Sequence, residues 1–314
     1  MLFRSKGSIS GGGGGLLLPV PVPSLQAIVL AARPKTLPAA VVPVWVGCVL
    51  AWRLTGSCDF TLALATLGGA VAIQIATNFF NDAIDSRKGA DTARRLGPTR
   101  VTAAGMMTSG TVLAWAGGFL LVAISCGALL YHACGWPIVA IGLPSLFLAY
   151  GYTGGPFPLA YRGLGEVFVI LFFGLVAVAG TVFVQTGTWP LAAGLLGWQV
   201  GLLSAVLISI NNLRDHREDA TTGKRTLAVR CGPRVAVAVI GAELGVAALA
   251  CLGWLGLGQP WLALAGLPIL GLGARIFHGV RQQPPGPAFN RLLALAGVLL
   301  LLFALVFQLA ALRG

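Results

Sequence analysis

An all-α, polytopic membrane protein of about nine transmembrane helices is what three features of this sequence predict. Of its 314 residues 57% are hydrophobic and only 10% are charged, with a mean hydropathy of +0.87, a composition outside the range of soluble domains. Apolar runs of about 17 to 23 residues, each near the length a helix needs to cross the hydrocarbon of a bilayer, recur at roughly 38–54, 60–81, 110–130, 136–152, 164–186, 190–212, 233–255, 259–278 and 292–312. The third feature is charge placement. With a cytoplasmic N-terminus, all of the 21 Lys and Arg except Arg53 and Arg313 fall in inner segments, a strong positive-inside bias.

These features exclude other classes. The formal charge of +12 is scattered between apolar runs, so no soluble basic domain exists to hold nucleic acid. The six cysteines lie far apart, without a C-x-x-C pair or a His at ligand spacing, and read as small core residues rather than zinc ligands or a disulfide frame.

In chain order, residues 1–23, with GGGGG and PVPVP, read as a flexible leader: too broken for a signal peptide and too rich in Gly and Pro for a helix. Residues 24–314 read as a single domain. Ser24 is an N-cap for a short interfacial helix that ends in Arg33-Pro34-Lys35. Nine spans follow, the fourth carrying Pro137 and Pro144. Trp52, Trp136, Trp189, Trp254 and Trp261 all fall at outer ends of spans, as an interfacial aromatic belt requires. The expected topology is N-terminus in, C-terminus out.

Six of the nine acidic residues lie in two inner segments: Asp82, Asp85 and Asp91 after the second span, and Asp215, Glu218 and Asp219 after the sixth. Asn78, Asn81, Asp82 and Asp85 are spaced to share one helix face, and so are Asn211, Asp215 and Asp219. Charged loops between spans are ordinary in membrane proteins. Here, however, the polar positions begin inside apolar sequence, where they are costly unless they serve a site. Cations accompany them: Arg87, Lys88, Arg94, Arg95 and Arg100 in the first segment, and Arg214, Lys224 and Arg225 in the second. Hard oxygen ligands beside cations suit a divalent ion bridging a diphosphate.

Asn78-Phe79-Phe80-Asn81-Asp82-Ala83-Ile84-Asp85, Lys88-Gly89-Ala90-Asp91 and Arg95-Leu96-Gly97-Pro98-Thr99-Arg100 resemble the first motif of the UbiA-type intramembrane prenyltransferases, in the form of the 1,4-dihydroxy-2-naphthoate polyprenyltransferase branch. Asn211-Asn212-Leu213-Arg214-Asp215 through Asp219, with Gly223-Lys224-Arg225-Thr226, is similar to the second motif, and Arg33-Pro34-Lys35-Thr36, Tyr152-Thr153-Gly154-Gly155-Pro156 and Gly163-Leu164-Gly165-Glu166 also resemble that branch. The general superfamily spacing puts a last Asp at the position of Gly89, whereas this chain offers Asp91.

The resemblance implies a UbiA-type bundle in a bacterial plasma membrane, with both Asp-rich motifs facing a central cavity on the cytoplasmic side. It also implies transfer of a polyprenyl chain from polyprenyl diphosphate to 1,4-dihydroxy-2-naphthoate, with loss of diphosphate and CO₂ and demethylmenaquinol as product. Mg²⁺ would be held by Asp82, Asp85, Asp215 and Asp219, with Asn78, Asn81, Asn211 and Asp91 completing the shells. Arg33, Lys35 and the motif cations would take the substrate charge. Phe79, Phe80, Tyr150 and Tyr152 are either a π-rich wall for an allyl cation or packing aromatics. Glu166 either orients the acceptor or is a helix-start carboxylate favoured by the dipole. Another aromatic acceptor (4-hydroxybenzoate, a haem or chlorophyll precursor) is the alternative within the chemistry, and a secondary transporter the alternative outside it.

Overall fold

The computed structural model describes residues 24–89, 96–97 and 99–313. The leader 1–23 and three candidate site residues, Asp91, Arg94 and Arg95, lie outside them. Among the described residues all regular structure is helical.

Helix α1, Leu25–Ala32, starts where its cap predicts: the Ser24 hydroxyl accepts from the Ala27 N–H at 3.2 Å. It stops at Arg33, whose left-handed backbone (φ 52°) is the one positive φ among the described non-glycine residues, and Pro34 then starts a single 3₁₀ turn, Pro34–Thr36.

The membrane helices are α2 Pro38–Thr55, α3 Phe60–Arg87, α4 Ser109–Cys134, α5 Trp136–Gly151, α6 Gly165–Thr186, α7 Leu191–Thr221, α8 Pro233–Gly256, α9 Pro260–Gln282 and α10 Phe289–Ala311. Among the described residues all of these but α5 are long and apolar enough to cross a bilayer, eight helices against the nine runs expected, and the fourth run is a shorter apolar helix of 16 residues. At ~1.5 Å per residue α5 reaches ~24 Å, short of the ~30 Å hydrocarbon. A single residue, Gly135 at φ 72°, separates it from α4, and its other end gives way to the link that carries Thr153 and the 3₁₀ turn Leu159–Tyr161.

Two helices overrun the bilayer. With 28 residues in α3 and 31 in α7, they extend ~42 and ~46 Å, so each carries its acidic motif on one or two helical turns beyond the apolar run. α7 runs through the main core, buried along most of its length by Leu196, Val200, Leu203, Val206, Ile210 and Leu213. Its neighbour α6 is wound as a π-helix over Ile170–Val176, where glycine meets glycine. A Cβ on Gly174 would stand 2.3 Å from the Gly197 carbonyl oxygen, and one on Gly201 2.6 Å from that of Ile170. Small residues bring the two backbones into contact, the usual means of tight helix association in lipid, and set the α7 motif relative to the start of α6.

Candidate active site

The acidic ends of α3 and α7 open into one cavity of about 1340 Å³. One end of it is lined by Asn81 and Asp85 from α3, and by Asn211, Asp215 and Asp219 from α7. Beyond them the wall turns apolar, with Phe168, Phe172, Phe173 and Val176 of α6.

Asp85 is bonded through both of its oxygens. One oxygen accepts from the Tyr161 hydroxyl at 2.9 Å, the other from Arg100 at 3.1 Å and from Lys224 at 2.9 Å. Lys224 belongs to the segment after α7, so this ion pair joins the two motifs directly. Asn81 accepts from the Thr153 hydroxyl. Lys88 caps α3, donates to the Thr153 carbonyl at 2.8 Å and sits 4.1 Å above the Tyr161 ring. Partial burial lowers its pKa from the ordinary lysine value, opposed by Asp85 and aided by Lys224.

Asp82 has a different place. It does not line the cavity; its two oxygens accept the backbone N–H groups of Val101 and Thr102, each at 3.0 Å. Consecutive helix positions point ~100° apart, so Asn81 and Asp82 occupy opposite edges of the stripe and meet different neighbours. Asn78 lines the cavity, with its amide nitrogen held by the Ala32 carbonyl at 2.9 Å and the Thr36 hydroxyl at 3.0 Å.

On α7, Arg214 grips Asp215 through two bonds of 2.7 and 2.6 Å and reaches the side-chain oxygen of Asn211 at 2.8 Å and that of Asn290 on α10 at 2.7 Å. Such planar bidentate pairing fixes both partners. Glu166, buried at the start of α6, accepts from Asn212 at 2.8 Å and stands behind the cavity wall rather than in it. Tyr152 does line the cavity; burial raises its phenol above the usual range, and Glu166, Asp85 and Asp219 push the same way. It therefore remains a hydroxyl donor at neutral pH.

Arg33, Lys35 and Arg100 line the cavity as well. Arg87 and Arg225 are exposed and outside its lining, and so is Tyr150, which packs edge-on against Phe80. Phe79 is fully buried against Phe119, so the aromatic wall comes from Phe168 and Phe172, stacked 6.1 Å apart, and not from the motif phenylalanines. Sequence reasoning gave no role to Tyr161, Thr153 or Asn290. Asn290 was visible only as a polar residue at the head of the last apolar run; its partners, Arg214 and the Leu96 carbonyl, are 76 and 194 residues away.

Among the described residues no three His, Cys, Asp or Glu side chains converge to make a metal cage. The two carboxylate sets face each other across Lys224, Arg100 and Arg214. Asn81, Asp85, Asn211, Asp215 and Asp219, all in the cavity lining, offer hard oxygen donors, the chemistry Mg²⁺ requires. They suit ions held at each helix end and linked by an anionic ligand.

Comparison with known proteins gives concordant matches. The profile described as the UbiA prenyltransferase family matches residues 40–298. The 1,4-dihydroxy-2-naphthoate octaprenyltransferase of Haemophilus influenzae is 33% identical, covering 90% of this chain and 94% of that one. Those of Escherichia coli (35%, 83% and 87%) and Bacillus subtilis (35%, 76% and 76%) are similar to the same degree. Among solved structures, a UbiA homolog from Archaeoglobus fulgidus superposes with a TM-score of 0.67 at 13% identity, over 92% of this chain and all of that one. The same homolog bound to GPP and Mg²⁺ gives 0.62, and these likenesses carry the fold.

Proposed function

The chain belongs to the UbiA prenyltransferase family, and from that premise we propose that it transfers a polyprenyl chain from polyprenyl diphosphate to 1,4-dihydroxy-2-naphthoate, releasing diphosphate and CO₂ and leaving demethylmenaquinol. The observation that carries this reading is the joining of two acidic helix ends, through Lys224 and Asp85, at the mouth of a cavity whose far part is apolar. A molecule with an anionic head and a long hydrocarbon tail fits that division. The names of the relatives supply the acceptor.

Mg²⁺, when bound by Asn81 and Asp85 on one helix and Asn211, Asp215 and Asp219 on the other, would neutralise the diphosphate oxygens and ease departure of the leaving group. Arg100 and Lys224, already placed at Asp85, supply further positive charge for the diphosphate. The allylic C–O bond breaks with its electron pair going to diphosphate. A ring carbon of the acceptor forms the new C–C bond, and the carboxylate leaves as CO₂, its bonding pair returning to the ring. Phe168, Phe172 and Phe173 exclude water from the allylic carbon and face it with π-electron density. Arg214 holds Asp215 and Asn211 in one geometry, and Asp82 holds the chain that presents Arg100.

The protein is an integral membrane protein; we assign it to a bacterial plasma membrane with the N-terminus and the cavity mouth cytoplasmic and the C-terminus outside. The test is a transfer assay with radiolabelled polyprenyl diphosphate and either 1,4-dihydroxy-2-naphthoate or 4-hydroxybenzoate, with and without EDTA. Metal-dependent prenylation of the naphthoate, lost in Asp85→Ala and Asp215→Ala, is expected. Transfer to the benzoate alone would overturn the acceptor, and activity that survives EDTA would overturn the metal.

A further inference from the structure

Both acidic motifs converge on one side chain that belongs to neither. Tyr161 ends the 3₁₀ turn Leu159–Tyr161 in the link between α5 and α6, half-buried and outside the cavity lining. Its hydroxyl donates to one oxygen of Asp85 at 2.9 Å. Its ring lies against two ammonium groups: that of Lys88, the cap of α3, is 4.1 Å from the centroid, and that of Lys224, from the segment after α7, is 5.3 Å away. Its carbonyl accepts the Arg225 N–H at 3.1 Å, so the residue next to Lys224 is tied to the same tyrosine. The turn is itself anchored, because the Ala160 N–H donates to the Tyr152 carbonyl at 2.8 Å.

The hydroxyl and the ring meet different needs. Arg100 and Lys224 both donate to the second oxygen of Asp85 and occupy its two lone pairs. A divalent cation therefore reaches Asp85 through the oxygen that Tyr161 holds. A charged donor at that oxygen would repel the arriving metal. A phenol orients it without adding charge and takes only one of its lone pairs. Without the phenol, the carboxylate can turn both oxygens toward Arg100, the forked pairing a guanidinium favours, and the metal loses its ligand. The ring answers a second need. Two ammonium groups held near each other repel, and the electron-rich face of an aromatic ring attracts both. Lys224, which lines the cavity, is thereby held at its wall.

We propose that Tyr161 is a positioning residue for the anion-binding end of the cavity: its hydroxyl aims one Asp85 oxygen at a divalent cation, and its ring seats Lys224 toward a diphosphate. This rests on the function proposed above, in which that end takes Mg²⁺ and diphosphate. The two contributions come from different parts of one side chain, so substitution separates them.

The test is equilibrium binding of inorganic pyrophosphate to the full chain in detergent, first in EDTA and then across a Mg²⁺ titration. Affinity in EDTA reads the cations, and the Mg²⁺ concentration that half-completes the tightening reads Asp85. Tyr161→Phe keeps the ring and should need ~10-fold or more Mg²⁺, the usual effect of losing a group that orients a metal ligand. Its affinity in EDTA should stay at the wild-type value. Tyr161→Leu should show the same Mg²⁺ shift and also bind pyrophosphate ~3- to 10-fold more weakly in EDTA, the effect of a lost cation–π contact. Tyr161→Met, unbranched and longer, takes the place of the Leu variant if that one does not fold. A wild-type Mg²⁺ requirement in Tyr161→Phe, or wild-type binding of pyrophosphate that ignores Mg²⁺, would overturn the inference. So would equal losses of both constants in the Phe and Leu variants, which is what a merely structural role produces. The expected binding pattern without prenyl transfer to the naphthoate would overturn the proposed reaction and leave the positioning role standing.

Discussion

Adjacent carboxylates on α3 do different work because of where each oxygen finds its proton donors. Asp82 accepts two backbone N–H groups and lies behind the cavity wall, so it acts as a clamp on the returning chain at Val101 and Thr102. Asp85 accepts Tyr161, Arg100 and Lys224 within the cavity, a set of partners that an arriving cation and diphosphate can exchange. Asp82→Asn turns one acceptor into a donor facing an N–H; with a charged acceptor lost it should lower stability by ~1.5–3 kcal/mol, seen as a lower thermal midpoint. Its Mg²⁺ concentration for half-maximal activity should stay at the wild-type value. Asp85→Asn should fold, lose ~10²-fold or more of activity and require more Mg²⁺. An equal shift of the Mg²⁺ requirement in both variants would erase the distinction between the two residues.

At the level of elements, the seam between α6 and α7 fixes how far apart the cavity walls stand. A methyl group on Gly174 has no room against the Gly197 carbonyl, and the backbones must separate to admit it. Gly174→Ala should therefore destabilise by ~1–3 kcal/mol, the usual range for overpacking, and widen the cavity. Gly117→Ala on α4, where a Cβ meets nothing within 4 Å, is the matched control and should leave the thermal midpoint unchanged or slightly raised. The spans and the two acidic stripes were legible in the sequence because hydrophobic length and i, i+3, i+4 spacing are local properties. The overrun of α3 and α7 follows from the same periodicity continuing through Asp85 and Asp219. The roles of Asn81 and Asp82 were not legible, since adjacent helix positions differ only in which neighbour the tertiary packing brings to them. Nor was the aromatic wall: Phe79 and Phe80 stand in the motif but pack on Phe119 and Tyr150, while Phe168 and Phe172 sit in an apolar run indistinguishable from the other spans.

For the whole molecule, the proposed direction across the bilayer, with the cavity mouth cytoplasmic, rests on the placement of charge. Between Cys58, in the link from α2 to α3, and the acidic end of α3 lies a full apolar span, so these two points must be on opposite sides of the bilayer. Cys231 ends the short helix Leu227–Cys231 after the second motif, and Lys224 of that segment is paired with Asp85, so Cys231 shares the side of the cavity mouth. The positive-inside rule counts Lys and Arg near span ends, and on this chain it gathers them with Cys231 and leaves Arg53 with Cys58. Single-cysteine versions treated in intact cells with a membrane-impermeant maleimide should label at Cys58 and stay unlabelled at exposed Cys231 until the membrane is permeabilised. The reverse pattern would place the diphosphate site outside. That arrangement would oblige a charged, cytoplasmically made substrate to cross the membrane before reacting, so the labelling result bears on the chemistry as directly as on the topology.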